Sequence, residues 1–136
     1  MIRPARGADW QVVVGMGFLD AHVEERFRAY CERDDHHLVV ADDLVGYAWA
    51  QDSGPHLRAG FSIVRLHDLF VVERRRREGI GRALLEDVVE WARARGARYV
   101  QWHGGSASAG FYAALGVIPV PQDPTHPFYE LDLEAS

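Results

Sequence analysis

Between Gly79 and Arg95 the apolar residues Ile80, Leu84, Leu85, Val88, Val89, Trp91 and Ala92 recur at spacings of three and four. That recurrence predicts a helix with a wide apolar stripe, which has to be covered by a second layer, and Gly96 supplies a stop. The segment before it, GFSIVRLHDLFVV at 60–72, reads as a long strand with mixed alternation, central in its sheet and open to a bulge. After the helix, ARYVQWHG reads as another strand. A chain of this kind is constrained to an α/β layer architecture.

The flanking segments fit the same alternation. MIRPARGADW predicts a short first strand and its exit. GFLDAHVEERFRAYCER places Phe18, Leu19, His22, Val23, Phe27 and Tyr30 at helical spacings. HHLVVADDLVGYAWAQ gives two apolar runs around Asp42-Asp43, a hairpin signal. SASAGFYAALG predicts a short helix ending at Gly116, and VIPV and PFYELDL predict two closing strands. The expectation is one domain over residues 1–136, with a mixed central sheet of about six to seven strands flanked by helices.

Bulk properties narrow the function classes. The formal net charge is −5, which opposes general nucleic-acid binding, because that needs basic surface to neutralise several phosphates. The 15 basic residues are all arginine. A single cysteine, Cys31, excludes an internal disulfide and multi-cysteine zinc patterns, and the seven histidines lack ligand spacing, so no metal is expected. No run is long enough for a membrane span and the first residues lack a signal peptide's apolar block, so a cytoplasmic, membrane-free protein is expected.

The arginine-glycine stretch RRRREGIGRALL, 74–85, joins the end of the long strand to the start of the predicted helix. There the backbone N–H groups have no intrahelical partner and the helix dipole is positive. Glycines at 79 and 81 let an anion approach that backbone, and arginine suits the paired oxygens of a phosphate. Two nucleotide readings weaken on spacing. A dinucleotide fingerprint needs Gly or Ala where Leu84 stands, and a Walker loop needs a lysine that the chain does not contain.

What remains, Arg76-x-x-Gly79-x-Gly81 after a strand ending Leu69-Phe70-Val71, resembles the acetyl-CoA signature of the GNAT superfamily of N-acetyltransferases. FYAALG at 111–116 is similar to that family's Phe-Tyr-x-x-x-Gly segment, and the resemblance covers roughly residues 60–118. It implies an acyltransferase with acetyl-CoA as co-substrate, whose pyrophosphate lies on the N–H groups from Arg77 through Glu78, Gly79, Ile80 and Gly81 to Arg82. It also implies that pantetheine runs beside Leu69, Phe70 and Val71 like an added strand.

The resemblance further implies direct transfer to a primary amine of a small molecule or peptide. Such an amine, with a pKa near 10.4, must lose a proton at a cost of about 4.6 kcal/mol at pH 7. Tyr112 takes the family's place of the acid that protonates the departing thiolate. His67 stands where polyamine-acetylating relatives carry a glutamate base, and strand alternation would set it on the face opposite Asp68. Gly105 replaces the family's common asparagine, with Ser106 or Ser108 as substitute hydroxyl contacts or, for Ser106, a helix cap.

Acceptor recognition is expected from the first helical region, the 51–60 loop and the C-terminal segment. Glu24, Glu25, Asp34 and Asp35 are candidates for attracting a cation, and Trp49, Trp102, Phe128 and Tyr129 for lining a pocket or filling the core. A homodimer through PFYELDL and a monomer both accord with the resemblance. The alternative function is a non-catalytic acyl-CoA-binding or regulatory module on the same scaffold.

Overall fold

In the computed structural model, which describes residues 1–17, 19–104 and 108–134, the chain forms two compact units, Met1–His103 and the residues from Gly104 onward. The first unit carries a five-stranded sheet of β1 (Ile2–Pro4), β2 (His36–Ala41), β3 (Gly46–Pro55), β4 (Ser62–Val71) and β5 (Tyr99–Gln101), in that spatial order. The first four are antiparallel neighbours, and β5 runs parallel to β4. The hairpin between β2 and β3 turns at Asp42-Asp43 as the sequence suggests, with Asp43 and Leu44 at positive φ.

Helical segments cover both faces of this sheet. On one face lie a 3₁₀ segment, Gly7–Met16, and α1 (Val23–Cys31). Val12, Val13 and Phe27 from these pack with Leu38, Val40 and Tyr47 of the strands in a buried cluster. The helix expected over 17–33 is thus shorter. Gly17 adopts a positive φ, and Asp20 accepts the N–H of His22 at 3.0 Å, a local turn that delays the helix start. Asp9 pins the 3₁₀ segment to β1, receiving two bonds from Arg3 at 2.8 and 3.0 Å and the N–H of Arg6 at 2.8 Å. The guanidinium bonds hold the Asp9 carboxyl below the usual carboxylate range.

On the other face, α2 (Ile80–Ala94) buries Leu84, Leu85, Val88 and Ala92 against β2, β3 and β4. Its bounds agree with the apolar stripe. Gly46 sets how closely it packs, since a Cβ there would meet Ile80 at 3.0 Å and Leu84 at 3.1 Å. The first turn of α2 is thereby held beside the end of β4.

In the second unit, α3 (Ala109–Ala114) is the short helix expected from FYAALG. The two closing strands are not found. No strand lies beyond β5 among the described residues, so the sheet has five strands where six to seven were expected. Prolines at 119, 121, 124 and 127 remove N–H donors and fix φ through this region. Phe128, Tyr129, Leu131 and Leu133 are exposed rather than packed.

Candidate functional site

The site is organised by a bulge in β4. Ala50 of β3 pairs with Leu66 and Trp49 pairs with Asp68, so His67 is the extra residue. The bulge reverses the phase of the strand. Val64 and Leu66 are buried before it, whereas after it Asp68 lies by Tyr47, and Phe70 packs on the cluster beneath α1. The alternation expected to separate His67 from Asp68 therefore fails, and both side chains lie on the face that carries Tyr47 and Trp49. The His67 ring stacks on Trp49 with centroids 4.2 Å apart, and its Nε2 donates to Gln51 Oε1 at 3.1 Å. Tyr47 donates a long 3.5 Å bond from its hydroxyl to Asp68 Oδ2.

Burial shifts these groups in opposite senses, because it disfavours whichever form is charged. It lowers the pKa of His67, with the positive Arg65 adding to the effect. It raises that of Asp68. The Tyr47 phenol is also pushed up, first by burial and then by the nearby Asp68 charge.

Asp68 lines a cavity of about 350 Å³. The 3₁₀ segment contributes Val13 and Met16 to its wall, α1 contributes Phe27 and Tyr30, and β2 and β3 contribute Leu38, Tyr47 and Trp49. Its charged lining residues are Asp68 and Arg26. Arg26 is engaged by Asp20 through bonds of 2.8 and 3.3 Å. The Trp49 ring is held from behind by His36, which accepts its Nε1–H at 3.0 Å and itself stacks on Tyr30 at 4.1 Å. Burial lowers the pKa of His36, in keeping with a neutral ring accepting at Nδ1.

Next along the strand are Leu69, Phe70 and Val71, all half-buried and paired with β3. Pairing with β5 runs only from Ile63–Tyr99 to Arg65–Gln101, so β4 continues past its parallel neighbour from Leu66 to Val71. At its end Arg76, the expected phosphate ligand, donates Nε to the Val71 carbonyl at 3.0 Å. Arg75 binds Glu78 at 2.9 Å across the turn. Arg77 and Gly79 both take positive φ, 68° and 83°; the second is free for glycine and the first is strained for arginine. Gly79 is the N-cap of α2, and the first turn contains Ile80, Gly81 and Arg82 with no acidic residue.

The residues from His67 to Val71 and from Arg76 to Arg82 are thus brought together at one end of the sheet. Tyr112 belongs to the second unit, where its ring meets Phe111 edge-on at 5.0 Å and lies against Gly104. Ser108 is the N-cap of α3 without a side-chain capping bond. Gly105 and Ser106 lie outside the described residues. Glu24 and Asp35 are spent on Arg28 and Arg33, at 2.9 and 3.0 Å. Sequence reasoning missed Asp68 and Tyr47 as cavity residues, since only the bulge turns Asp68 toward Tyr47. Among the described residues no three His, Cys, Asp or Glu side chains are grouped to hold a metal ion.

A sequence model of the acetyltransferase (GNAT) family matches residues 5–117. Similar solved structures include glucosamine-6-phosphate N-acetyltransferase from Arabidopsis thaliana, at TM-score 0.73 and 16% identity, covering 95% of this chain and 98% of that one. An acetyltransferase of Trypanosoma brucei has TM-score 0.73 and 20% identity over 98% and 99% of the two chains. An aminoglycoside acetyltransferase from an uncultured soil metagenomic sample has TM-score 0.73 and 16% identity over 97% and 96%. At these identities the likeness speaks for the fold. None of the curated proteins compared is significantly similar.

Proposed function

The chain belongs to the acetyltransferase (GNAT) family, and we propose that it is an N-acetyltransferase that moves an acetyl group from acetyl-CoA to a primary amine of a small molecule in a ternary complex. One observation carries this reading: the end of β4, extending past β5, meets a helix start that lacks acidic residues. An unliganded helix N-terminus favours acidic residues in its first turn, whereas this one carries Arg82, a choice that suits a bound anion. The strand offers main-chain groups to the amide-bearing pantetheine, and the strained Arg77 and the αL Gly79 shape the loop.

The residues present fit the co-substrate. Leu69, Phe70 and Val71 would hold pantetheine by their backbone, and the N–H groups from Arg77 to Arg82 would hold the pyrophosphate. Arg76 ties the two parts together through the Val71 carbonyl. Acetyl-CoA supplies an activated thioester, whose acetyl carbon bonds to the amine nitrogen as its C–S bond breaks. His67 is the proposed base. Its Nε2–H is directed to Gln51, which leaves Nδ1 to accept the proton of the amine, and its lowered pKa keeps it neutral at pH 7. Tyr112 is assigned as the acid for the thiolate by family resemblance.

Thermal unfolding with acetyl-CoA, NADH and ATP tests the reading. At about 100 times the dissociation constant, acetyl-CoA should add about 2.7 kcal/mol and raise Tm by several degrees, and the two controls should add nothing. Equal shifts with all three, or none with acetyl-CoA, would defeat it.

A further inference from the structure

We propose that the cavity lined by Asp68 is the acceptor site, and that it selects a single primary ammonium carried on an apolar, aromatic-sized body over polyhydroxylated amines. The inference rests on the transferase reading for its catalytic meaning and on the cavity alone for its chemistry. Its volume of about 350 Å³ lies toward the small end of the roughly 300–1,000 Å³ typical of ligand pockets. The wall is made by Phe27, Tyr30, Leu38, Tyr47 and Trp49 with the apolar side chains of the 3₁₀ segment. Sugar hydroxyls turned toward these aromatic and aliphatic side chains would lose water without gaining partners, at a cost for each.

Charge fixes the other end of the ligand. Arg26 is neutralised by the two bonds to Asp20, which leaves Asp68 as the carboxylate facing the cavity. Among the described residues Asp68 receives one hydrogen bond, the long one from Tyr47, and burial makes its own ionisation costly. A cation beside it offsets that cost. Asp68 also directly precedes Leu69, where the coenzyme-binding part of β4 begins, so the amine would be anchored next to the acetyl donor. Asp68 is in this sense a positioning and specificity residue, distinct from the proton acceptor His67.

Calorimetric titration of the intact chain at pH 7 with phenethylamine and with its neutral counterpart 2-phenylethanol tests the idea. The amine should bind at least tenfold tighter. Asp68→Asn should erase that difference, Asp68→Glu should restore part of it, and Trp49→Ala should weaken both ligands. In turnover with acetyl-CoA, phenethylamine should exceed glucosamine at least tenfold in kcat/KM. Equal affinity for amine and alcohol, or a preference for glucosamine, overturns the proposal. The two readings fail separately. If acetyl-CoA gives no thermal shift while Asp68-dependent amine binding persists, the transferase reading falls and the cation pocket stands; if acetyl-CoA binds and glucosamine is the better acceptor, the reverse holds.

Discussion

His67 and Asp68 are consecutive and share one face; His67 is the more exposed and Asp68 half-buried, yet desolvation shifts them in opposite directions, because one is charged when protonated and the other when ionised. In the proposed mechanism their titrations bound the working pH. With His67 lowered below its ordinary value of 6.5, the acid limb of the rate should fall at a lower pH than an unperturbed histidine base would give. His67→Ala should remove this acid limb and lower kcat about 100-fold, with acetyl-CoA affinity unchanged. Asp68, raised above 3.8, is protonated at a higher pH than an exposed carboxylate, so amine affinity should weaken on acidification before that of an ordinary surface pair would. Tyr112→Phe should lower kcat and leave the acetyl-CoA dissociation constant in place, which steady-state kinetics beside calorimetry would resolve. Tyr112 and His67 are reached through the family resemblance. It does not reveal Asp68, whose proposed role depends on the register of β4 with β3, a non-local property.

Among the elements, α2 was the most legible, because its stripe is long and its glycine stop is unambiguous. Burial confirms the stripe: Leu84 and Val88 are fully enclosed. Leu84→Ala should therefore cost about 2–5 kcal/mol in chemical unfolding. Since Leu84 also packs closely over Gly46, where an added Cβ would meet it at 3.1 Å, the same change should loosen the start of α2 and weaken acetyl-CoA more than it weakens the amine. A change confined to global stability would show that the helix start is held by the loop alone. The 3₁₀ segment was not legible. Its residues have no helical periodicity to announce them, and the Arg3 and Arg6 bonds to Asp9 that fix it are polar contacts that leave no apolar pattern to read. The closing strands were misread because short apolar runs suggest strands even when interrupted by proline.

At the scale of the whole molecule, an overall charge of −5 coexists with a cationic loop at 74–77. The general field would favour a cationic acceptor, while an anionic co-substrate, in the proposed reading, would depend on local arginines and backbone. Raising ionic strength from about 0.01 to 0.15 M shortens the screening length from about 30 to 8 Å, so kcat/KM for the amine should fall several-fold in a salt series. An unchanged value would mean that Asp68 recognises the amine only at contact. The phase reversal at His67 adds a different kind of constraint. Residues on its two sides answer to opposite layers of the fold, so losing or gaining one residue in β4 would exchange the layers for everything downstream. This strand can drift by substitution far more readily than by a change of length, and the spacing from Leu66 to Val71 is its most restricted inheritance.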